Sequence, residues 1–407
     1  MLSLEKIWED LFFPLSHFGY TEGKGTTRLS WSPAFQEAQG YLMDYAQKIG
    51  LTAVQDACGN LFLTVPGTQD LPPVYTGSHL DTVPQGGKYD GALGITVPLA
   101  IANYWHQLGY CPVRPLCIIA FAEEEGTRFG KVCFGSQALT GKLKGLDPTA
   151  LMTREGKNLP ELLQASGLTG NPFTPHFPPG KCFLELHIEQ GNALETAGFP
   201  LGIVSAIVGI RHFTLTFTGK ANHAGTTSMD LRHDALAAAS SFITHVYNSA
   251  LASQRQYVAT VGHIKVEPDA NNVVPGKAEI SLEIRSETDT LMDSVLAGFQ
   301  EFLDHTAQKY GVAYEIAKLD QIPPLPMDAS LKDLIAEEAQ AQNIPYQVQP
   351  SWAGHDAMIL GHELPTAMFF VPSKGGISHS PEEFTPSHDI GQAAQVLEKV
   401  LRRVSAE

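Results

Sequence analysis

Residues 72–109, "PPVYTGSHLDTVPQGGKYDGALGITVPLAIANYWHQLG", decide the fold class. The first part reads as a buried strand that ends in a loop. From Asp90 onward the apolar residues recur as in a helix, with Gly109 just past its end. The Gly-rich loop between them carries His79, Asp81 and Asp90, three ligand-type side chains in a segment that offers little to a core. The strand pattern returns in "RPLCIIAFAEEEG" (114–126), in "CFLELHIEQG" (182–191) and in "LPTAMFFVPSKGGISHS" (364–380), each an apolar run that opens into polar or Gly-rich chain. Strands interleaved with helices predict an α/β domain with a mostly parallel sheet.

The middle of the chain has another rhythm. In "RHFTLTFTGK" (211–220) Phe213, Leu215 and Phe217 alternate with threonines, the period of a sheet covered on one face. A helix-like 234–251 follows, then strand candidates 257–266 and 278–286, a helix-like 291–311 and a strand 312–320. That β-α-β-β-α-β order is the split βαβ arrangement of a ferredoxin-like α+β domain. The expected organisation is a catalytic domain of residues 1–207 and 325–407, interrupted by a lid or dimerisation domain of 208–324, with "QIPPLPMD" (321–328) as the return linker.

Composition narrows the function. A chain of 407 residues with 43% hydrophobic and 17% charged residues is globular and long enough for two cores. Its formal charge of −16 disfavours nucleic acid and anionic membrane surfaces and leaves a small molecule as the expected partner. Five cysteines without a CxxC pair predict neither a disulfide framework nor a thiolate zinc site, and a cytoplasmic location is expected. The N-terminus lacks the basic start and long apolar core of a signal peptide, and no stretch reaches membrane-spanning length.

In open α/β sheets ligands gather at the carboxyl ends of strands, and His79, the run Glu123-Glu124-Glu125, His187 and His379 each follow a strand-like segment. Imidazole and carboxylate suit zinc or another first-row divalent ion, and without paired cysteines the expected site is catalytic. Asp81 is placed to orient the His79 ring through its other nitrogen. Three adjacent glutamates usually begin a solvated helix; here they follow a buried strand, where like charges repel unless a cation or proton compensates. Asp90 could be a simple helix N-cap, but a cap alone leaves the preceding glycines unexplained.

The motifs "GSHLDTV", "GGKYDG", "AEEEGTRF", "ELHIEQG", "NHAGTT", "NNVVPG", "GHDA" and "GISHSPEE" resemble those of the M20 family of dinuclear metal hydrolases. More closely, they are similar to its amidase branch of N-carbamoyl-L-amino acid hydrolases, β-ureidopropionases and allantoate amidohydrolases. The resemblance implies two divalent ions per subunit, zinc or else manganese, cobalt or nickel. His79, Asp90 and His187 would hold one, and Asp90, Glu125 and His379 the other. It implies Glu124 as general base, Asp81 as support for His79, and His223 as oxyanion donor, commonly from the partner subunit of a homodimer. For a substrate carboxylate it implies Arg285 with Asn272, with Gln190, His355 and Arg211 as further contacts. The expected reaction is hydrolysis of an N-carbamoyl-L-amino acid to ammonia and carbon dioxide, with allantoate as the alternative. An M20 aminoacylase or peptidase, or a metal-binding protein without catalysis, fits less well. Trp352 stands where the family commonly has a small residue.

Overall fold

The computed structural model describes residues 2–174 and 177–406, and the chain divides into two compact units. One runs to Ser205 and resumes at Met327; the other is Ala206–Pro326.

The first unit is α/β, built on a mixed sheet. Its central strands lie in the order Thr366–Val371, Cys182–Ile188, Val74–His79, Leu116–Phe121 and are mutually parallel. Every residue of these four is buried, so both faces are covered and the strands read as continuous apolar runs rather than alternating ones. Antiparallel strands extend the sheet on both sides: Leu61–Val65 with Thr52–Gln55 beyond Leu116–Phe121, and Leu201–Ile207 beside Thr366–Val371. Helix Ala92–Leu108 makes the crossover from Val74–His79 to Leu116–Phe121 and ends at Gly109 in the left-handed conformation. Leu4–Leu15 and Ser387–Ala406 pack on it. Trp8 donates its indole N–H to Thr96 Oγ1 at 3.1 Å, and Trp105 donates to Glu398 Oε1 at 2.8 Å, so both buried indoles are satisfied. Each fully buried Leu, Ile or Phe in this core contributes roughly 1.5–3 kcal/mol.

The start of that helix shapes the site. Its N-cap is Gly91 at φ 66°, with no side-chain cap, so the Asp90 carboxylate is not spent on capping. A Cβ on residue 91 would lie 2.4 Å from the His79 ring, which leaves room for glycine alone.

In the second unit, Gly209–Thr218, Tyr257–Thr260 with Ile264–Glu267, Lys277–Ser286 and Ala313–Ile322 form an antiparallel sheet. Lys277–Ser286 and Gly209–Thr218 are central. Helices Ala235–Ala252 and Asp289–Tyr310 supply Phe242 and Phe299 to a core with Phe213, Leu215, Phe217, Ile280, Leu282 and Ile284. The final strand runs to Ile322, past the expected end at 320, and Leu325–Pro326 pairs with Ile207 and Ala206. The segment 321–328 is therefore partly strand rather than a free linker. Its exposed residues carry little apolar alternation, and proline is tolerated at a strand edge. Among the described residues no helix is long and apolar enough to cross a membrane, and all five cysteines are free.

Candidate metal centre

The parallel strands bring their carboxyl ends to one edge of the sheet. His79 is the last residue of its strand, His187 the penultimate residue of its own, and Glu123 to Glu125 begin two residues after Phe121. His379 sits in the loop after Thr366–Val371. Among the described residues three groups of potential ligands have donor atoms within 4.8 Å of one another, and two of them share Asp90: His79 with Asp90 and His187, and Asp90 with Glu125 and His379; the third, Glu185 with His187 and His355, lies behind His187. Asp90 Oδ1 lies 3.2 Å from His187 Nε2 and 3.6 Å from His79 Nε2, whereas Oδ2 lies 3.1 Å from His379 Nε2. His379 Nε2 is also 3.3 Å from Glu125 Oε1. One carboxylate thus addresses both sets, one oxygen to each.

The ring tautomers follow from the second nitrogens. His79 Nδ1 faces the Asp81 carbonyl and His187 Nδ1 the Ile188 carbonyl, both at 2.9 Å. A carbonyl only accepts, so Nδ1 donates and each Nε2 is turned to the cluster. The support from Asp81 therefore comes through its main chain. The short 79–81 turn returns the carbonyl to the ring, while the carboxylate passes to the next strand end and accepts from the N–H groups of Glu124 at 3.1 Å and Glu125 at 3.2 Å. Asp81 thereby fixes the backbone that presents both glutamates.

Some of the backbone strain lies at this edge. Glu123, Cys133, Gln190 and His379 all take left-handed φ values, between 51° and 59°, each at a cost of order 1–3 kcal/mol. Glu124 Oε2 is 3.9 Å from His79 Nε2, and its Oε1 receives the Cys133 thiol at 3.3 Å.

The electrostatics call for cations. Asp81, Asp90, Glu123, Glu124, Glu185, Asp356 and Glu383 are all buried. Burial pushes Asp81 up to about 6, Asp356 to about 7 and Glu185 to about 8, and it holds Glu124 well above the carboxylate range. Asp90 is the exception: burial opposes its charge, but hydrogen bonds from His379 and His79 draw it well below. His379 is lifted to about 10 by its contacts with Asp90 and Glu125. Burying an unpaired ion costs several kcal/mol. Arg28, buried and held by the Leu80 and Phe18 carbonyls, is a cation facing Asp81, and one guanidinium does not balance so many acids. His187 Nε2 and Glu125 Oε1 are buried without a hydrogen-bond partner. Imidazole and carboxylate atoms whose nearest polar neighbours are only one another, among excess acid, fit divalent cations.

The other expected site residues are distributed as follows. Gln190 Nε2 lies 3.3 Å from Asp90 Oδ2, and its Oε1 is buried without a partner. His355 is buried, its Nε2 2.8 Å from Ser351 Oγ and its ring 4.6 Å from that of His187, so it packs against a candidate ligand. Trp352 is half-buried beside Ser351. In the second unit, His223 pairs with Val273, and Ala224 N–H donates to the Asn272 carbonyl at 2.9 Å. His223 Nδ1 accepts from the N–H groups of Gly225 at 3.0 Å and Thr226 at 3.2 Å. Arg285 contacts Glu283 at 2.7 Å. Arg211 is engaged through its terminal nitrogens by Asp289 at 2.8 Å and Asp293 at 2.5 Å, while its buried Nε has no hydrogen-bond partner.

Three acids escaped the sequence reading. Glu185 accepts from Ser78 Oγ at 2.6 Å and Ala357 N–H at 3.0 Å, Asp356 accepts from Ser136 Oγ at 2.5 Å, and Glu383 holds the main chain at Asp90. A glutamate inside the apolar "CFLELHI" was the available signal for the first.

The family model described as Peptidase family M20/M25/M40 matches residues 75–403. The chain belongs to this family. Like other M20 proteins it is a hydrolase acting on C–N bonds, in a metal-dependent family. This M20 chain is 33% identical over 406 residues to the allantoate amidohydrolase of Bacillus subtilis, covering 99% of itself and 98% of that relative. It is 34% identical over 403 residues to the N-carbamoyl-L-amino acid amidohydrolase of Geobacillus stearothermophilus, with 98% and 97% covered. It also matches the crystal structure of a hydantoinase/carbamoylase family amidase from Burkholderia multivorans, with a TM-score of 0.90, 30% identity, and 100% and 98% covered.

Proposed function

We propose that this chain holds two divalent metal ions around Asp90 and hydrolyses the C–N bond of a linear ureido compound bearing a carboxylate, an N-carbamoyl-L-amino acid first and allantoate second. The observation that carries the reading is the division of Asp90 between the two ligand sets, Oδ1 toward His79 and His187 and Oδ2 toward His379 and Glu125. These donors accept zinc, manganese, cobalt or nickel. Bound ions supply Lewis-acid polarisation of the ureido carbonyl and lower the pKa of water.

The chain's own groups do the rest. Glu124, not needed as a ligand, takes the proton of the attacking water and returns it to the departing nitrogen. The orphaned Gln190 Oε1 is an acceptor for a ureido N–H. Because His223 Nδ1 accepts two main-chain N–H groups, the proton of its neutral ring sits on Nε2, the form a donor to the developing oxyanion requires. Arg285 with Asn272 binds the carboxylate, where a guanidinium fork suits bidentate pairing. Arg211, whose terminal nitrogens are already on Asp289 and Asp293, is the weakest member of that set. We further assign a homodimer in the cytoplasm; light scattering that gives a monomer's mass would remove the dimer.

The relatives named for ureido substrates favour this reading over a peptidase or aminoacylase, and a base beside the ligands disfavours a binding protein. The test is ammonia release from N-carbamoyl-α-amino acids, N-carbamoyl-β-alanine and allantoate with metal-reconstituted protein. The highest rate is expected with an N-carbamoyl-L-amino acid. A higher rate with allantoate would transfer the reading to ureide breakdown, and no ammonia from any of them would overturn it.

A further inference from the structure

Glu383 ties together the two chain segments on which the outer ligand set depends. Its Oε1 accepts from the main-chain N–H of Tyr89 at 2.8 Å and of Asp90 at 3.1 Å. Its Oε2 accepts from Ser378 Oγ at 3.1 Å, and that hydroxyl is also 3.3 Å from Asp90 Oδ2. The side chain is buried at 4% exposure, and its seat is shaped for it: a Cβ on Gly87 would fall 2.0 Å from the carboxyl carbon. Glu383 lies four residues after His379, so one carboxylate pins the turn that carries Asp90 to the loop that carries His379. His379 needs such a pin, because its side chain is 47% exposed and its backbone is left-handed.

We propose that Glu383 is a positioning residue for the outer metal ion, setting the distance between Asp90 Oδ2 and His379 Nε2. This rests on the two-metal reading above. Glu383 itself is no ligand: both of its oxygens are occupied by N–H and O–H donors. What it controls is the mutual placement of two ligands contributed by segments that are nearly three hundred residues apart in sequence. Groups that hold metal ligands in place in this way typically change metal affinity by about 10–100-fold when removed.

The experiment is competition of the purified protein against a chromophoric chelator for Zn2+. Glu383→Ala should weaken one of two bound equivalents by about 10–100-fold and leave the other near wild type. Glu383→Gln, whose amide oxygen still accepts from both N–H groups, should restore most of the affinity. Gly87→Ala keeps the carboxylate but fills its seat, and should reproduce the loss. Should Glu383→Ala fail to fold, Ser378→Ala removes only the bridging hydroxyl and should still weaken the same equivalent by a few-fold. A packing role alone would lower the melting temperature of the metal-free variants and leave their Zn2+ affinities at the wild-type value, and that result overturns the proposal. Asp90→Asn separates the two readings. If it binds Zn2+ like wild type, or wild type binds none, the metal reading falls and takes this inference with it. If Asp90→Asn loses Zn2+ while the Glu383, Gly87 and Ser378 variants do not, this inference alone falls.

Discussion

The two ligand sets that meet at Asp90 are built in different ways. The inner pair, His79 and His187, belongs to buried parallel strands, with side chains 3% and 1% exposed and each Nδ1 held by a carbonyl. The outer pair, Glu125 and His379, belongs to loops, and His379 is 47% exposed. The inner rings are fixed by the sheet before any ion arrives; the outer ones are only as rigid as the contacts that pin their loops. An ion on the inner side should therefore bind more tightly and exchange more slowly.

The largest effect should come from the shared residue. Asp90→Ala is expected to remove both ions, by elemental analysis, and to reduce ureido hydrolysis to background. One ion retained at full occupancy would break the idea that the two sets share a carboxylate. Next come the adjacent glutamates. Glu124→Gln should keep both ions while turnover falls about 10²–10⁴-fold, and Glu125→Gln should lose the outer ion. The reverse pairing of metal content and rate would show the run to be out of register.

The histidines then compare the two sides directly. His187→Ala removes a buried ring that touches His355 and should lower stability by about 1–3 kcal/mol in the metal-free protein. His379→Ala should lose the outer ion with little change in metal-free stability. Equal stability losses in denaturant titrations would erase the distinction between strand-borne and loop-borne ligands.

The smallest effect is a pH trend in the metal-free protein. Glu185 and Asp356 are pushed up to about 8 and about 7 by burial, above the ordinary carboxylate values they recover on unfolding. The folded state then binds protons that the unfolded state has released, so stability is fullest near pH 4 and declines as pH rises through 7 to 8. Asp90 is depressed, so its contribution is lost only on acidification below the ordinary aspartate value. Melting temperature in chelator should accordingly fall from pH 5 to pH 8, and added divalent ion should flatten the trend. A rise over that interval would mean that these acids are already ionised in the fold.

Much of this site was legible because the ligands end apolar runs. A histidine that closes "VYTGSH", or a glutamate triplet that follows "CIIAF", is conspicuous against a buried strand. Asp81 was legible in position but not in contact: spacing places it near His79 and cannot say whether carbonyl or carboxylate faces the ring. Arg211 has the parity of Phe213, Leu215 and Phe217 and is an anion contact only through the resemblance; Asp289 and Asp293, from the helix starting at Asp289, pair with it. Glu383 stands at the end of "GISHSPEE" with no role assigned from the sequence, because its partners lie at 89, 90 and 378.

Local periodicity and ligand chemistry in the sequence alone determined the α/β class, the alternating strands of the middle segment and the candidate ligand residues, since both are properties of neighbouring residues. The resemblance already put Asp90 in both candidate sets; only the tertiary structure showed its oxygens divided between them, Oδ1 toward His79 and His187 and Oδ2 toward His379, a main-chain oxygen facing His79 Nδ1, and Glu383 joining the Asp90 turn to the His379 loop. Each of these depends on distances of 3–4 Å between atoms, several of them between residues far apart in the chain, and such distances are set by how the strands pack into one sheet.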